Sequence, residues 1–117
     1  MKLEVATDVR LAEWQIMPNA RSDSVELRST LDGTRPAAPQ DESREDVLAR
    51  VRETLSDAWT DPVRCTVLVG HGKLFSVLLS DLSGRPATDI WRQLTNPDVF
   101  ALCRDTGQVD IERLWND

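Results

Sequence analysis

The stretch TVLVGHGKLFSVLL, residues 66–79, sets one histidine between two glycines and constrains the fold more than any other part of the sequence. Thr66–Val69 are apolar or β-branched, which is typical of a short buried strand, whereas from Lys73 the apolar residues recur at helical spacing. Gly70-His71-Gly72 is therefore predicted to be a strand-to-helix turn. The first N–H groups of a helix have no acceptor within the helix and lie at the positive end of its dipole. The turn is thus predicted to form part of a phosphate site.

Length and charge limit the class of protein. The chain has 117 residues, enough for one domain over residues 1–117. Its 14 Lys and Arg against 20 Asp and Glu give a net charge of −6, and the basic residues are scattered, so nucleic acid is not an expected partner. The longest apolar stretch, Leu74–Leu82, is interrupted by polar residues and is too short to cross a bilayer. The segment MKLEVATD has acidic residues where a signal peptide has an apolar run, so we expect a cytoplasmic protein with no membrane partner.

The two cysteines lie in short apolar runs, Cys65–Val69 and Val99–Cys103. This predicts buried, protonated and unreactive thiols rather than a disulfide. Cys65, His71 and Cys103 also lack the close paired spacing of a zinc site. We therefore expect no metal and no cofactor.

Helical and strand patterns alternate along the rest of the chain. Ser43 with Asp46 three residues later indicates a capping box, and a helix with one apolar face then runs to Asp61-Pro62. The helix after His71 is predicted to end at Gly84. The remaining predicted elements are a short helix around Ser24–Leu31, an amphipathic piece at Thr88–Leu94, and an antiparallel strand pair at Val99–Arg104 and Val109–Leu114. A helix, strand and helix in succession favour the α/β class.

Several segments occur in an order known from one family: LAE near the start, DESREDVLARVRETL, TVLVGHGKLFSVLLSDLSG, WRQLTNPDVFALCRDTG and DIERLWND. Together, from about Asp8 to Asp117, they resemble the histidine phosphatase superfamily, the phosphoglycerate mutase-like phosphatases. The resemblance implies a partial three-layer sandwich, in which helices flank a mostly parallel sheet and the antiparallel pair closes the chain. It also implies a phosphatase or mutase that acts on a phosphomonoester, with a small phosphorylated substrate or inorganic phosphate as partner.

The resemblance assigns roles to individual residues. His71 matches the family's second histidine, which helps to bind the phosphoryl group, and Glu13 in LAE matches the acid that protonates the leaving group. The backbone N–H groups of Gly72 and Lys73 are implied to reach the phosphate. The residues alone also allow two simpler interpretations. His71 is then a turn histidine whose ring caps a neighbouring carbonyl, and Glu13 is a solvated surface carboxylate.

One departure from the family is large. The family's nucleophile is another histidine, in an Arg-His-Gly motif on its first strand, and this sequence contains one histidine in all. The arginine of the family's Ser-x-x-x-Arg-Ala segment has no counterpart either. The chain thus resembles the C-terminal half to two-thirds of such an enzyme, and its unpaired strand edges are expected to invite self-association. Either the remaining strands pair in a new order, or two chains pair as a homodimer. The alternative is a catalytically inactive binding or regulatory domain with the same fold elements.

Two further sets of residues each have two interpretations. Arg10 and Arg21 either add positive charge beside the phosphate or are surface cations. The tryptophans either line a substrate pocket or fill the edges of the core. These are Trp14, Trp59, Trp91 and Trp115. Trp59 is expected in the core because it shares the apolar face of the helix that follows Ser43.

Overall fold

The computed structural model describes residues 5–16, 25–60, 66–95, 98–105 and 107–114. These ranges contain a 3-10 helix (Val9–Leu11), four α-helices and two strands. The elements are α1 (Val25–Asp32), α2 (Arg44–Ala58), α3 (Gly72–Ser83), α4 (Ala87–Gln93), β1 (Phe100–Asp105) and β2 (Gln108–Arg113). Four helices and a two-stranded antiparallel sheet in the described ranges are consistent with the predicted α/β class. Among the same residues, no helix combines the length and apolar character needed to cross a bilayer.

Helix α2 begins as its sequence predicts. The Ser43 hydroxyl accepts a hydrogen bond from the Asp46 N–H at 3.1 Å, which satisfies one of the N–H groups that a helix leaves free at its start. The face that packs inward carries Val47, Leu48, Val51, Thr54 and Leu55. Trp59 is the C-cap residue and is half-buried against the core. The predicted helix terminator Asp61-Pro62 lies outside the described residues.

Helix α3 also follows its predicted limits. Its first internal hydrogen bond runs from the Phe75 N–H to the His71 carbonyl at 3.0 Å, and it ends at Gly84, whose φ of 77° is the left-handed conformation that glycine adopts freely. Gly70, two residues before the helix, lies too close to Phe75 for a larger residue, because a Cβ atom there would be 2.7 Å from the Phe75 ring. The turn therefore depends on glycine at position 70.

The core is built mainly by helices. Trp14 and Ile16, each 1% exposed, pack into one cluster with apolar residues of α1, α2, α3 and the start of α4. The helical members are Leu27, Leu31, Val47, Leu48, Val51, Leu55, Leu74, Val77, Leu78 and Ala87. The Trp14 indole N–H donates to the Glu42 carbonyl at 2.8 Å, so this large ring is buried with its polar atom satisfied. The segment just after the 3-10 helix is thereby fixed to the front of α2.

The strand predicted over Thr66–Val69 is not formed in this structure. Residues 66–70 belong to no strand, and Val67 and Val69 are each 80% exposed. Leu68, on the opposite side of the extended backbone, packs against the core. A strand forms only where a neighbouring strand takes up its backbone hydrogen bonds, and it buries both faces only where other elements cover the sheet on each side. The described residues supply no neighbouring strand here. The prediction of a buried strand was wrong for that reason.

The C-terminal antiparallel pair is confirmed. β1 and β2 pair with Leu102 opposite Ile111 and Cys103 opposite Asp110, and Gly107, with φ of 86°, lies in the connection. Leu102 contacts the core, and because side chains alternate along a strand, Cys103 points the other way. Cys103 is accordingly exposed, which corrects the prediction of a buried thiol. Cys65 lies outside the described residues.

Candidate functional site

The N-terminus of α3 presents backbone N–H groups that the helix itself does not use. Because Phe75 is the first residue to bond back within the helix, the N–H groups of Gly72, Lys73 and Leu74 need other acceptors. They lie one after another on the first turn, directly after His71. Such a turn favours a negatively charged group.

The Glu13 carboxylate occupies most of that position. Its Oε2 accepts the Lys73 N–H at 3.0 Å, and its Oε1 accepts the Leu74 N–H at 2.8 Å and the N–H of Trp14 at 2.9 Å. Glu13 and Lys73 are separated by 60 positions in the sequence. The fold therefore brings together two of the residues that the sequence analysis selected, and an intramolecular carboxylate caps α3.

His71 is the N-cap residue of α3, with extended backbone (φ −124°, ψ 161°). Its side chain makes no capping hydrogen bond, and the residue is exposed. The described part of the chain also provides no hydrogen-bond partner for the ring, so the alternative in which the imidazole caps a neighbouring carbonyl finds no support there. The Gly72 N–H likewise has no acceptor among these residues. An exposed ring and an unoccupied N–H thus adjoin the capped part of the turn.

Two further side chains lie beside the turn. The sequence analysis gave no role to the Lys73 side chain and left two interpretations open for Trp91. The Lys73 ammonium donates to the Ile16 carbonyl at 3.4 Å, which holds a positive charge beside the segment that carries Glu13. The half-buried Trp91 indole lies next to Gly72, where a Cβ would be 3.4 Å from the indole nitrogen. Of the four tryptophans, Trp91 thus borders the candidate site and Trp14 is a core residue, whereas Trp115 lies outside the described ranges.

Arg10 is turned away from α3. Its guanidinium pairs with Asp8 at 2.7 Å, Asp57 at 2.7 Å and Glu53 at 3.0 Å. The hydrogen bonds from Arg10 lower the pKa of Asp8 from its ordinary 3.8 to about 2. Arg10 is therefore a cation engaged with carboxylates of α2 and Asp8, and its charge is not available to the turn. Arg21 lies outside the described residues.

At the candidate site His71 is exposed, whereas Glu13, Gly72 and Lys73 are half-buried. A cavity of about 220 Å³ does occur elsewhere, between the C-terminal half of α3, α4 and the strand pair. Its lining includes Leu79, Ser83, Arg85, Ile90, Phe100 and Ile111, and none of the predicted site residues. Within the described ranges, no three His, Cys, Asp or Glu side chains are grouped so as to hold a metal ion.

Comparison with known proteins identifies the class. The family model of the histidine phosphatase superfamily (branch 1) matches residues 1–117, the whole chain. The chain belongs to this superfamily, as the resemblance predicted. No curated protein and no solved structure gives a significant match. Membership supports phosphatase- or mutase-like activity at the level of the family.

Proposed function

We propose that the chain binds the phosphoryl group of a phosphomonoester at the N-terminus of α3, as a phosphatase or phosphoglycerate mutase-like protein. In this proposal the phosphate contacts the His71 ring and the backbone N–H groups of Gly72 and Lys73, and Glu13 protonates the leaving group. The observation that carries the proposal is the Glu13 carboxylate seated on the Lys73 and Leu74 N–H groups. A carboxylate held by these donors supports the proposal, because it is a negatively charged group bound by the N–H groups of the turn.

Binding of a phosphate would rearrange these contacts in a defined way. One phosphoryl oxygen takes the unoccupied Gly72 N–H, and a second replaces Glu13 Oε2 on the Lys73 N–H. The released Oε2 is then the atom of Glu13 that donates a proton to the leaving group, a step that requires the carboxyl form of Glu13.

Transfer through a phosphohistidine needs an imidazole to attack phosphorus, in addition to the one that assists. The sequence contains His71 alone, and the resemblance gives it the assisting role. This chain by itself therefore supplies phosphate binding and the proton donor. The presence of a single histidine also supports the second candidate function, a catalytically inactive binding or regulatory domain. A turnover assay separates the two candidate functions.

The binding step can be tested directly because the one histidine gives one set of imidazole signals by NMR. We expect titration with inorganic phosphate or orthovanadate to shift the His71 ring signals together with the Gly72 amide. His71→Gln is expected to weaken binding roughly tenfold, followed at the Gly72 amide, because a hydrogen bond to a charged group contributes about 1.5–3 kcal/mol.

Arg52→Gln is the control for the replacement of a side chain by glutamine away from the turn. Arg52 lies on α2 and pairs with Asp81 in the last part of α3, away from the turn. This variant should bind phosphate as the wild type does. A wild-type chain whose His71 ring and Gly72 amide do not respond to phosphate would contradict the proposed function, as would equal weakening by the two variants.

We also propose the finer fold and assembly that the resemblance implies. The three-layer sandwich with a mostly parallel sheet would require a strand beside residues 66–70, and a second copy of the chain is the proposed partner. Two features support this. The extended backbone of 66–70 has no strand neighbour among the described residues, and Val67 and Val69 present apolar side chains on its outer side.

A further inference from the structure

The guanidinium of Arg50 uses all of its donors near the candidate site. An arginine has five N–H donors in a fixed planar arrangement. Two of them hold the Glu42 carboxylate, from Nε to Oε2 at 2.7 Å and from Nη2 to Oε1 at 2.9 Å. The pair is mostly shielded from water, with side-chain exposures of 19% and 21%. The hydrogen bonds from Arg50 hold the pKa of Glu42 below its ordinary value, so the carboxylate stays charged near neutral pH.

The other three donors reach the backbone of the segment that carries Glu13. Nη1 donates to the carbonyls of Arg10 at 2.8 Å and Ala12 at 2.6 Å, and Nη2 donates to the carbonyl of Glu13 itself at 3.3 Å. Arg50 is about 40 positions away in sequence, on α2. The backbone of Glu13 is therefore held from one side by Arg50, and its carboxylate is held from the other side by α3.

We propose that Arg50, oriented by Glu42, is a positioning residue that sets the Glu13 carboxylate on the N-terminus of α3. The proposal deepens the proposed function, since it concerns the group assigned there as proton donor. It also gives a role to two residues of the segment DESREDVLARVRETL, Glu42 and Arg50. Ser43 starts α2, and the glutamate and arginine on either side of it bind the segment that delivers Glu13.

The geometry requires arginine rather than lysine. A lysine ammonium has three donors around one point, so it cannot hold both oxygens of Glu42 and three carbonyls at once. With Arg50→Lys the charge and much of the helical side-chain volume remain. The backbone contacts at Arg10, Ala12 and Glu13 are lost in part, so Glu13 is released from a fixed place.

The test measures amide hydrogen exchange in the full chain, with no ligand present. In Arg50→Lys we expect the Lys73 and Leu74 amides to exchange about tenfold faster, because the hydrogen bonds to Glu13 that protect them contribute roughly 1–1.5 kcal/mol. Arg52→Lys is the equivalent change two residues further along α2, where the arginine pairs with Asp81. It should leave the exchange rates of both amides unchanged. The amide of Leu78, a buried residue in the middle of α3, is the reference for global opening and should be equally protected in both variants.

Two further variants keep the proposal testable if Arg50→Lys folds poorly. Glu42→Gln leaves Arg50 in place but weakens its support, so we expect a smaller acceleration at the same two amides. In a Glu13→Ala background, Arg50→Lys should cause no additional acceleration, because the contact through which Arg50 acts is already absent.

The inference is overturned if the Lys73 and Leu74 amides keep wild-type exchange in folded Arg50→Lys and Glu42→Gln, or if Arg50→Lys acts equally in the Glu13→Ala background. Since the measurement needs no phosphate, it is independent of the binding test. A chain that fails to bind phosphate but shows the expected exchange pattern contradicts the proposed function and supports the positioning role of Arg50.

Discussion

At the residue scale, Glu13 has two relations to a phosphate at α3. Its carboxylate accepts hydrogen bonds from the Lys73 and Leu74 N–H groups, and the proposed phosphate takes the Lys73 N–H as well, so the two anions compete for the Lys73 donor. The protonated carboxyl can instead assist a bound ester by donating its proton. Competition involves the charged carboxylate, whereas proton donation needs the neutral carboxyl group. A neutral replacement at position 13 therefore separates the two roles.

We therefore predict that Glu13→Gln binds inorganic phosphate more tightly than the wild-type chain. Removal of one negative charge about 4 Å from the phosphate is worth about 1 kcal/mol in water, or roughly a fivefold gain in affinity. The His71 ring signals provide the measurement. Glu112→Gln, the same change at an exposed glutamate of β2, should leave the affinity unchanged. Weaker or equal binding by Glu13→Gln would show that Glu13 does not compete with the phosphate.

At the element scale, the backbone hydrogen bonds of the helices and of the strand pair are made within those elements. The extended residues 66–70 have no such pairing within the described part of the chain. Their side chains alternate as in a strand, with Leu68 on the core and Val67 and Val69 outside. Their backbone finds no strand neighbour in the described part of the chain. An extended edge of this kind is a template for pairing with another chain.

Self-association through this edge is the prediction at that scale. Sedimentation velocity over a range of protein concentrations should show the wild-type chain forming a dimer. The double change Val67→Lys and Val69→Lys should shift it to monomer, because two charges on the outer side of the edge oppose close pairing. Val25→Lys, at a valine of α1 that is 63% exposed, is the control and should still dimerise. A wild-type monomer at every concentration would refute the proposed homodimer.

At the scale of the whole molecule, the question is which part of a phosphatase site the chain carries. The side chains with ionisable groups at the N-terminus of α3 that the structure describes are Glu13, His71 and Lys73, whereas Arg10 and Arg50 bind carboxylates and carbonyls. Neutralisation of the phosphoryl oxygens by fixed positive groups is usually the largest contribution to catalysis. The proposed site would therefore bind phosphate and supply a proton donor, with limited stabilisation of the transition state.

We predict that the purified chain shows no hydrolysis of phosphomonoesters above background. A broad panel of phosphomonoesters, assayed by phosphate release, tests this. Since Cys103 is exposed and its thiol is a possible alternative nucleophile, Cys103→Ser should be assayed in parallel and should give the same background rate. Turnover that disappears in His71→Ala or Glu13→Gln would refute the prediction and would assign chemistry to this chain alone.

The helices and the strand pair were predictable because their signals are local. A cap residue, the 3.6-residue repeat of apolar side chains and a glycine after the last turn act within a few positions, and α2 and α3 have them at Ser43 and Gly84. The free N–H groups at the start of α3 follow from the same local pattern. These features were therefore present in the sequence before any packing was known.

Long-range contacts were decided only by the tertiary structure. The Glu13 carboxylate reaches Lys73 across 60 positions, and the Arg50 guanidinium reaches the Glu13 carbonyl across 37, because α2 and α3 pack around Trp14. The prediction of a buried strand over residues 66–69 was wrong, because an apolar run indicates only a preference for burial. A strand also needs a neighbouring strand, and the described residues supply none beside this segment. The sequence by itself determined which N–H groups, charged side chains and apolar side chains need a partner. The packing of distant segments determined which partner each of them has.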